Sequence, residues 1–132
     1  MQKHTFLKLI GLAILAMITL VVISILEVTL YSYVVNPGHD ARVYEAHAEY
    51  SAPYISGIFG FIVFFLVARH WKKKRYDNLL KLVIAFPLIY VLLDLLIISL
   101  AATVQWSTFI LTFALANGAK FLGSYLGYRL TR

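Results

Sequence analysis

Three ionisable side chains, Glu27, Asp94 and Lys120, lie within long apolar runs of this sequence, where charged residues are rare. Lys120 stands in the run ALANGAKFLGSYLGYRL, among glycines and aliphatic residues. An unpaired charge at the centre of a membrane costs about 2.5 to 3.5 kcal/mol on insertion scales. We therefore expect Lys120 to face a partner or a polar cavity instead of lipid.

Asp94, in the preceding apolar run, is the predicted partner of Lys120. The two residues lie at different depths along their runs, but helical side chains lean toward the N-terminus of their own helix, which brings the two groups closer. We expect a direct or water-bridged pair, with Asn117 and Tyr90 as further polar members of the cluster. The pair is either a structural lock between two helices or a charge switch that couples to an ion.

A second group of candidate residues surrounds the connection after the first apolar run. Glu27 lies near the end of that run, and His39, Asp40 and His47 follow in the polar segment. Imidazole and carboxylate groups suit proton binding or a divalent ion such as zinc. The spacing of the two histidines matches no standard metal motif, so a hydrogen-bonded glutamate beside a capped surface helix remains the structural alternative. We predict neither a bound metal nor a cofactor.

The composition places the chain in a membrane, since 61% of its residues are hydrophobic and 14% are charged. Crossing a hydrocarbon core of about 30 Å takes about 20 helical residues. Four apolar runs approach or exceed that length, at residues 6–34, 53–71, 79–103 and 106–128. We predict a single domain, 1–132, that is an all-α bundle of four transmembrane helices. The chain has no cysteine, which excludes disulfides and thiolate metal sites.

The segment between the first two runs predicts a short helix on the outer surface. The sequence NPGHD is typical of a turn, and Asp40 can cap a helix that continues to about Tyr50. Val43, His47 and Tyr50 share one side of that helix, so we predict an amphipathic helix whose apolar side faces the membrane. Pro53 then begins the second span.

The basic residues predict the orientation. Of twelve Lys and Arg residues, Arg42 alone lies on the predicted outer side and Lys120 within a span, while the others flank the opposite ends of the runs. By the positive-inside rule, both termini face the cytoplasm and the turn near Gln105 faces out, in a cytoplasmic (inner) membrane. The net charge of +6 follows from this bias and does not indicate nucleic-acid binding. The predicted partners of the basic loop, Lys72, Lys73, Lys74 and Arg75, are anionic lipid headgroups.

Small residues on two runs predict close helix packing. The fourth run repeats them at Ala119, Gly123 and Gly127, and the predicted packing face also includes Ser56, Gly57 and Gly60 of the second run. Such spacing lets helix backbones approach closely in a membrane. The pattern does not distinguish a partner within the chain from a second copy or another membrane subunit. In the third run, Pro87 removes one helical hydrogen bond, to the carbonyl of Val83.

We expect an accessory or scaffold protein, or a subunit, that acts through helix packing, and we do not expect an enzyme, because no nucleophile–base, phosphate-loop or metal motif is present. The alternative is a small oligomeric ion-coupled transporter that uses Glu27, Asp94 and Lys120. In gross plan the chain is similar to small multidrug-resistance transporters, which have four short helices and an acidic residue in the first. It differs in the peripheral position of its acid and in its long outer loop, and we do not assign it to that family.

Overall fold

The computed structural model describes residues 3–100 and 106–132. In this part of the chain, the elements are four α-helices and one π-helical turn, in the order α1 (Lys3–Leu30), the π turn (Tyr31–Val35), α2 (Ala41–Lys73), α3 (Leu79–Leu100) and α4 (Trp106–Leu130). The prediction of an all-α bundle of four helices is confirmed. The predicted end of the third span at residue 103 and the turn near Gln105 lie outside the described residues.

Each of the four helices is long and apolar enough to cross a membrane. The 22 residues of α3 match the thickness of a hydrocarbon core, about 30 Å. The 33 residues of α2 span about 50 Å, so this helix is considerably longer than the core is thick. The charged residues of α2 lie at its two ends, which are the parts that would extend beyond the apolar layer.

The predicted short helix of the outer loop is not a separate element, because residues 41–50 form the first turns of α2. Pro53 does not interrupt the helix, since it removes only the backbone bond to the carbonyl of Glu49, an exposed residue near the polar start of α2. Asp40 occupies the N-cap position, but its side chain makes no capping hydrogen bond. Tyr50, which we expected to face inward, is exposed.

Helices α2 and α4 form the most extensive helix pair of the bundle. Residue numbers increase together along their contact, so the two helices run in the same direction: Gly57 faces Ala116, Phe61 faces Gly123, and Phe65 faces Gly127. A Cβ atom on either α4 glycine would collide with the carbonyl oxygen of the α2 residue opposite. Glycine at these two positions therefore allows the backbones to touch.

An aromatic core fills the half of the bundle nearer the α2–α3 connection. The ring of Phe64 stacks on Phe86 with centroids 4.4 Å apart and meets Tyr90 edge-on at 5.3 Å. At the end of this core nearest the α2–α3 connection, the ring of Trp71 packs against Phe86 with centroids 5.5 Å apart. Helix α1 covers the core with a buried stripe of aliphatic residues, Leu9, Ala13, Ala16 and Leu20.

The proline of α3 is supported by a hydroxyl of α4. Pro87 deprives the carbonyl of Val83 of its helical donor, and the buried hydroxyl of Ser124 donates to that oxygen at 2.7 Å. Neighbouring side chains commonly satisfy a carbonyl freed in this way within membrane helices. Since Pro87 is itself fully buried, α3 is held by α4 at the very position where a proline could otherwise make it a hinge.

Candidate functional site

Lys120 is fully buried between α2, α3 and α4, at the centre of the group that we call the Lys120 cluster: Ser56, Tyr90, Asp94, Asn117 and Lys120. Its ammonium donates to the hydroxyl of Ser56 at 2.7 Å and to the carbonyl of Ala116 at 3.3 Å. It also lies over the ring of Tyr90, 4.9 Å from the centroid. A cation over an aromatic face gains about 2 kcal/mol or more when it is desolvated.

The parallel arrangement of α2 and α4 explains why Ser56 receives the ammonium. The side chain of Lys120 leans toward the start of α4, which in a parallel pair is also the direction of the start of α2. Gly60 lies opposite the lysine stem, and a Cβ atom there would come within 2.8 Å of Lys120 Cε. The glycine thus leaves room for the stem, and the charge reaches Ser56 one turn further along.

Asp94 and Asn117 complete the cluster from α3 and α4. Asp94 is half-buried and lies beside the amide of Asn117, within electrostatic range of Lys120. Among the described residues, Asp94 makes no direct ion pair. The Asn117 amide donates to the carbonyl of Phe113 at 3.0 Å, while its Oδ1 has no donor within the same part of the chain. The cluster therefore holds a cation and a carboxyl near each other without direct contact.

A second polar group, the Glu27 cluster (Glu27, Tyr31, His47 and Ser51), joins α1 to the start of α2. One carboxylate oxygen of Glu27 lies 2.6 Å from Nε2 of His47, and the other accepts a hydrogen bond from the hydroxyl of Ser51 at 2.9 Å. The ring of Tyr31 stacks on the imidazole with centroids 3.6 Å apart and planes 3° apart. Both carboxylate oxygens are thus bound from α2, and the π turn that follows α1 supplies the ring that covers the histidine.

The π turn and the loop after it are folded around Tyr44 of α2. The hydroxyl of Tyr44 donates to the carbonyl of Asn36 at 3.0 Å and accepts from the backbone N–H of His39 at 3.0 Å. Its ring meets Tyr31 edge-on at 6.3 Å. Short π-helical segments often occur at functional sites. Here the segment starts at Tyr31, the residue that stacks on the imidazole.

The structure brings two of the four outer candidates together and leaves two apart. Glu27 and His47 are in contact, whereas His39 and Asp40 are exposed in the loop. His39 takes part through its backbone N–H alone. Within the described ranges, no group of three or more His, Asp or Glu side chains is placed to hold a metal ion.

The small residues are used in two ways. Gly57, Gly60, Gly123 and Gly127 lie in the contact between α2 and α4. Ala119 instead lines an open apolar depression of about 530 Å³ beside that contact, which we call the α2–α4 groove. Gly57, Ile58 and Ala116 also line it. The small residues of α2 and α4 therefore pack against each other within the chain, while the α2–α4 groove beside that contact remains open on the outside of the bundle.

Sequence reasoning missed partners that are ordinary hydroxyl and aromatic residues. We expected Ser56 only as a packing residue and did not single out Ser51 or Tyr31 as members of a site. Helical spacing could have revealed two of them, because Ser51 lies four residues after His47 and Tyr31 four residues after Glu27. The contact of Ser56 with Lys120 depends on the α2–α4 register, which no local pattern specifies.

The basic loop lies at the far end of the bundle from the Glu27 cluster. The ammonium of Lys72 sits over the ring of Tyr128, 4.4 Å from its centroid, so α2 and α4 also meet here. Lys73, Lys74 and Arg75 are exposed. Three positive charges are therefore available to a ligand outside the protein.

Comparisons with known proteins give no relative for these groups, since no family model, no curated protein and no solved structure matches the chain.

Proposed function

We propose that this multi-pass membrane protein is an accessory or scaffold subunit that acts through helix packing instead of catalysis. The observation that carries the proposal is the α2–α4 groove, which is apolar and lined in part by the small residues Gly57, Ala116 and Ala119. Small residues let a further helix approach closely, where dispersion forces drive association within lipid. The hydrogen bonds of Lys120 are directed inside the chain, which favours a packing role for α4.

The proposed location is the cytoplasmic (inner) membrane, with both termini in the cytoplasm. The basic residues support this orientation, because they cluster at the end of the bundle that holds the α2–α3 connection. Exposed Lys73, Lys74 and Arg75, together with Lys72, would contact anionic headgroups, each contributing about 1 kcal/mol near the surface.

The occupant that we propose for the groove is a helix of a second copy. Helix α1 presents a long row of exposed aliphatic side chains, including Ile14, Ile18 and Val22. Their size suits a groove of about 530 Å³ between two helices. A second copy supplies both the groove and the row, so that no further component is needed.

Cysteine cross-linking tests this proposal, because the chain has no native cysteine. Ile58 lines the groove and is 61% exposed, while Ile97 on α3 is 57% exposed and does not line it, which makes the two a matched pair. In native membranes, Ile58→Cys combined with Ile18→Cys of the α1 row should form a cross-linked dimer, and Ile97→Cys combined with Ile18→Cys should not.

Equal cross-linking at both positions, or none at either for a protein whose measured mass is that of a monomer, would refute self-association through the groove. A photo-cross-linker at Ile58 that joins the chain to one different membrane protein, with no product at Ile97, would retain the accessory role but replace the second copy with another subunit.

A second candidate function is ion-coupled transport by an oligomer, using Glu27, Asp94 and Lys120. The favouring observation is the presence of Asp94 and Lys120 within spans, because ionisable groups at such depth commonly mark ion pathways. Purified protein in lipid vesicles should then show proton-coupled uptake that Asp94→Asn abolishes. A monomer without pH-dependent flux would rule out this function.

A further inference from the structure

The Lys120 cluster has unused hydrogen-bonding capacity inside the span. A lysine ammonium carries three N–H donors, and two of those on Lys120 point to Ser56 and to the carbonyl of Ala116. Asn117 is 5% exposed, and its Oδ1 lacks a donor in the described part of the chain. A buried polar atom without a partner lowers stability, because it gives up its hydrogen bonds to water and gains none in the fold. The cluster thus offers one N–H donor for which the described residues supply no oxygen or nitrogen acceptor, and one acceptor without a donor.

Asp94 adds a second acceptor. Its carboxyl lies beside the Asn117 amide, and among the residues described it has no direct ion pair. The ammonium of Lys120 acts on it from a distance. A ligand that fits this arrangement must accept one hydrogen bond and donate two. Water has this capacity, and buried waters in proteins typically make about three hydrogen bonds to such groups.

We propose that Asp94, Asn117 and Lys120 form a binding site for one water molecule within the span. The water accepts from the third N–H of Lys120 and donates to the carboxylate of Asp94 and to Oδ1 of Asn117. The water thereby bridges the ammonium of Lys120 and the carboxylate of Asp94, which are not in direct contact, and gives Oδ1 of Asn117 a hydrogen-bond donor. This role is distinct from helix packing at the groove, and it holds whether or not the protein forms dimers.

No other ionisable side chain competes for this position from the helices around it. Helix α1 has none between Lys8 and Glu27, and α2 has none between Tyr54 and Arg69. On α3 the neighbouring titratable group is Tyr90, whose ring lies under the ammonium. Since Asp94 is half-buried while Lys120 is fully buried, water would enter from the Asp94 side.

Solid-state NMR of the ¹⁵N-lysine-labelled protein in lipid bilayers tests the site. Polarisation is transferred from water protons to lysine ammonium groups, and the Lys120 signal is assigned by its loss in Lys120→Met. We expect transfer to Lys120 in the wild type. Asn117→Leu and Asp94→Leu, which remove one acceptor each, should abolish it.

Two controls make the result specific. Ser56→Ala removes a direct partner of the ammonium but no acceptor of the water, so the transfer should persist. Lys72, which also lies over an aromatic ring but at the end of the bundle, should receive water polarisation in every variant. Absence of transfer to Lys120 in the wild type, or unchanged transfer in Asn117→Leu, would overturn the proposal. The wild-type measurement decides even where a variant fails to fold.

Discussion

The Lys120 cluster and the Glu27 cluster both bind a charged side chain of one helix to groups of another, but their access to water differs. Lys120 is 0% exposed, whereas the side chains of His47 and Glu27 are 20% and 31% exposed. A partner lost from the Glu27 cluster can be replaced by bulk water, whereas the fully buried ammonium of Lys120 lies out of reach of bulk water. Bonds of similar length should therefore differ greatly in their effect on stability.

The two clusters also differ in the partners they use. Lys120 is held by a hydroxyl, a carbonyl and an aromatic face, all neutral. Glu27 is held by a histidine, which can carry the opposite charge, and by a serine. Desolvating two charges at depth is expensive, and neutral partners require the desolvation of one. Near the polar end of the helices this restriction is weaker.

The largest effect is expected for Lys120→Met. This change leaves the carboxyl of Asp94 without its nearby cation and Ser56 without its partner; an unsatisfied buried group costs about 1 to 3 kcal/mol and a charged one more, so we expect a loss of about 3 kcal/mol. The free energy of unfolding, measured by denaturant titration in mixed micelles, should fall by that amount.

The double variant Lys120→Met, Asp94→Leu separates the charge effect from lost packing. It should be more stable than Lys120→Met alone, because no carboxyl is left stranded. A double variant as unstable as the sum of the two single changes would contradict the electrostatic link between Asp94 and Lys120.

Ser124→Ala should have the next largest effect, about 1 to 3 kcal/mol, because it leaves the carbonyl of Val83 unpaired in the core. Pro87→Ala restores a backbone N–H to that carbonyl. In the same unfolding assay, the cost of Ser124→Ala should therefore be smaller in a Pro87→Ala background. An equal cost in both backgrounds would show that the hydroxyl does not compensate for the proline.

Glu27→Gln should cost less than about 1 kcal/mol, since partly exposed ion pairs contribute little and water can reach the site. The unfolding assay should also show that the difference from the wild type narrows as salt is added. A loss as large as that of Lys120→Met would remove the distinction between the two clusters.

The smallest effects are expected for His39→Gln and Asp40→Asn, within about 0.5 kcal/mol of the wild type, because both side chains are exposed. The melting temperature with and without added zinc provides the measurement. A zinc-dependent rise that His39→Gln removes would contradict our prediction that the outer group binds no metal.

The helices were predictable from sequence because long apolar runs leave few alternatives, and the existence of all four follows from composition and length. The start of α2 was not predictable, because Pro53 favours a helix boundary at residue 53. No local signal shows that the helix begins as early as Ala41. Whether a proline ends a helix or lies within it depends on what holds the turns before it. Here Tyr44, His47 and Ser51 bind to α1 and the loop.

The candidate residues were identifiable as rare polar groups in apolar runs, but their contacts were not. A direct bond between Lys120 and Asp94 was one expected form of the pair, and in the structure the ammonium instead reaches Ser56. That choice depends on the parallel register of α2 and α4, which Gly123 and Gly127 set against carbonyl oxygens of α2. Contacts between elements distant in sequence arise from packing, which the periodicity of one helix does not specify.

The central claim is that α2 and α4 of one chain enclose Lys120 side by side. Gly57 and Ala116 test it most directly, because a Cβ atom on Gly57 would lie 3.7 Å from the Cα of Ala116, which places cysteine side chains at the two positions next to each other. In the cysteine-free chain, Gly57→Cys combined with Ala116→Cys should form a disulfide within the monomer under mild oxidation in membranes. Disulfides found only between chains, or none at all, would contradict the account.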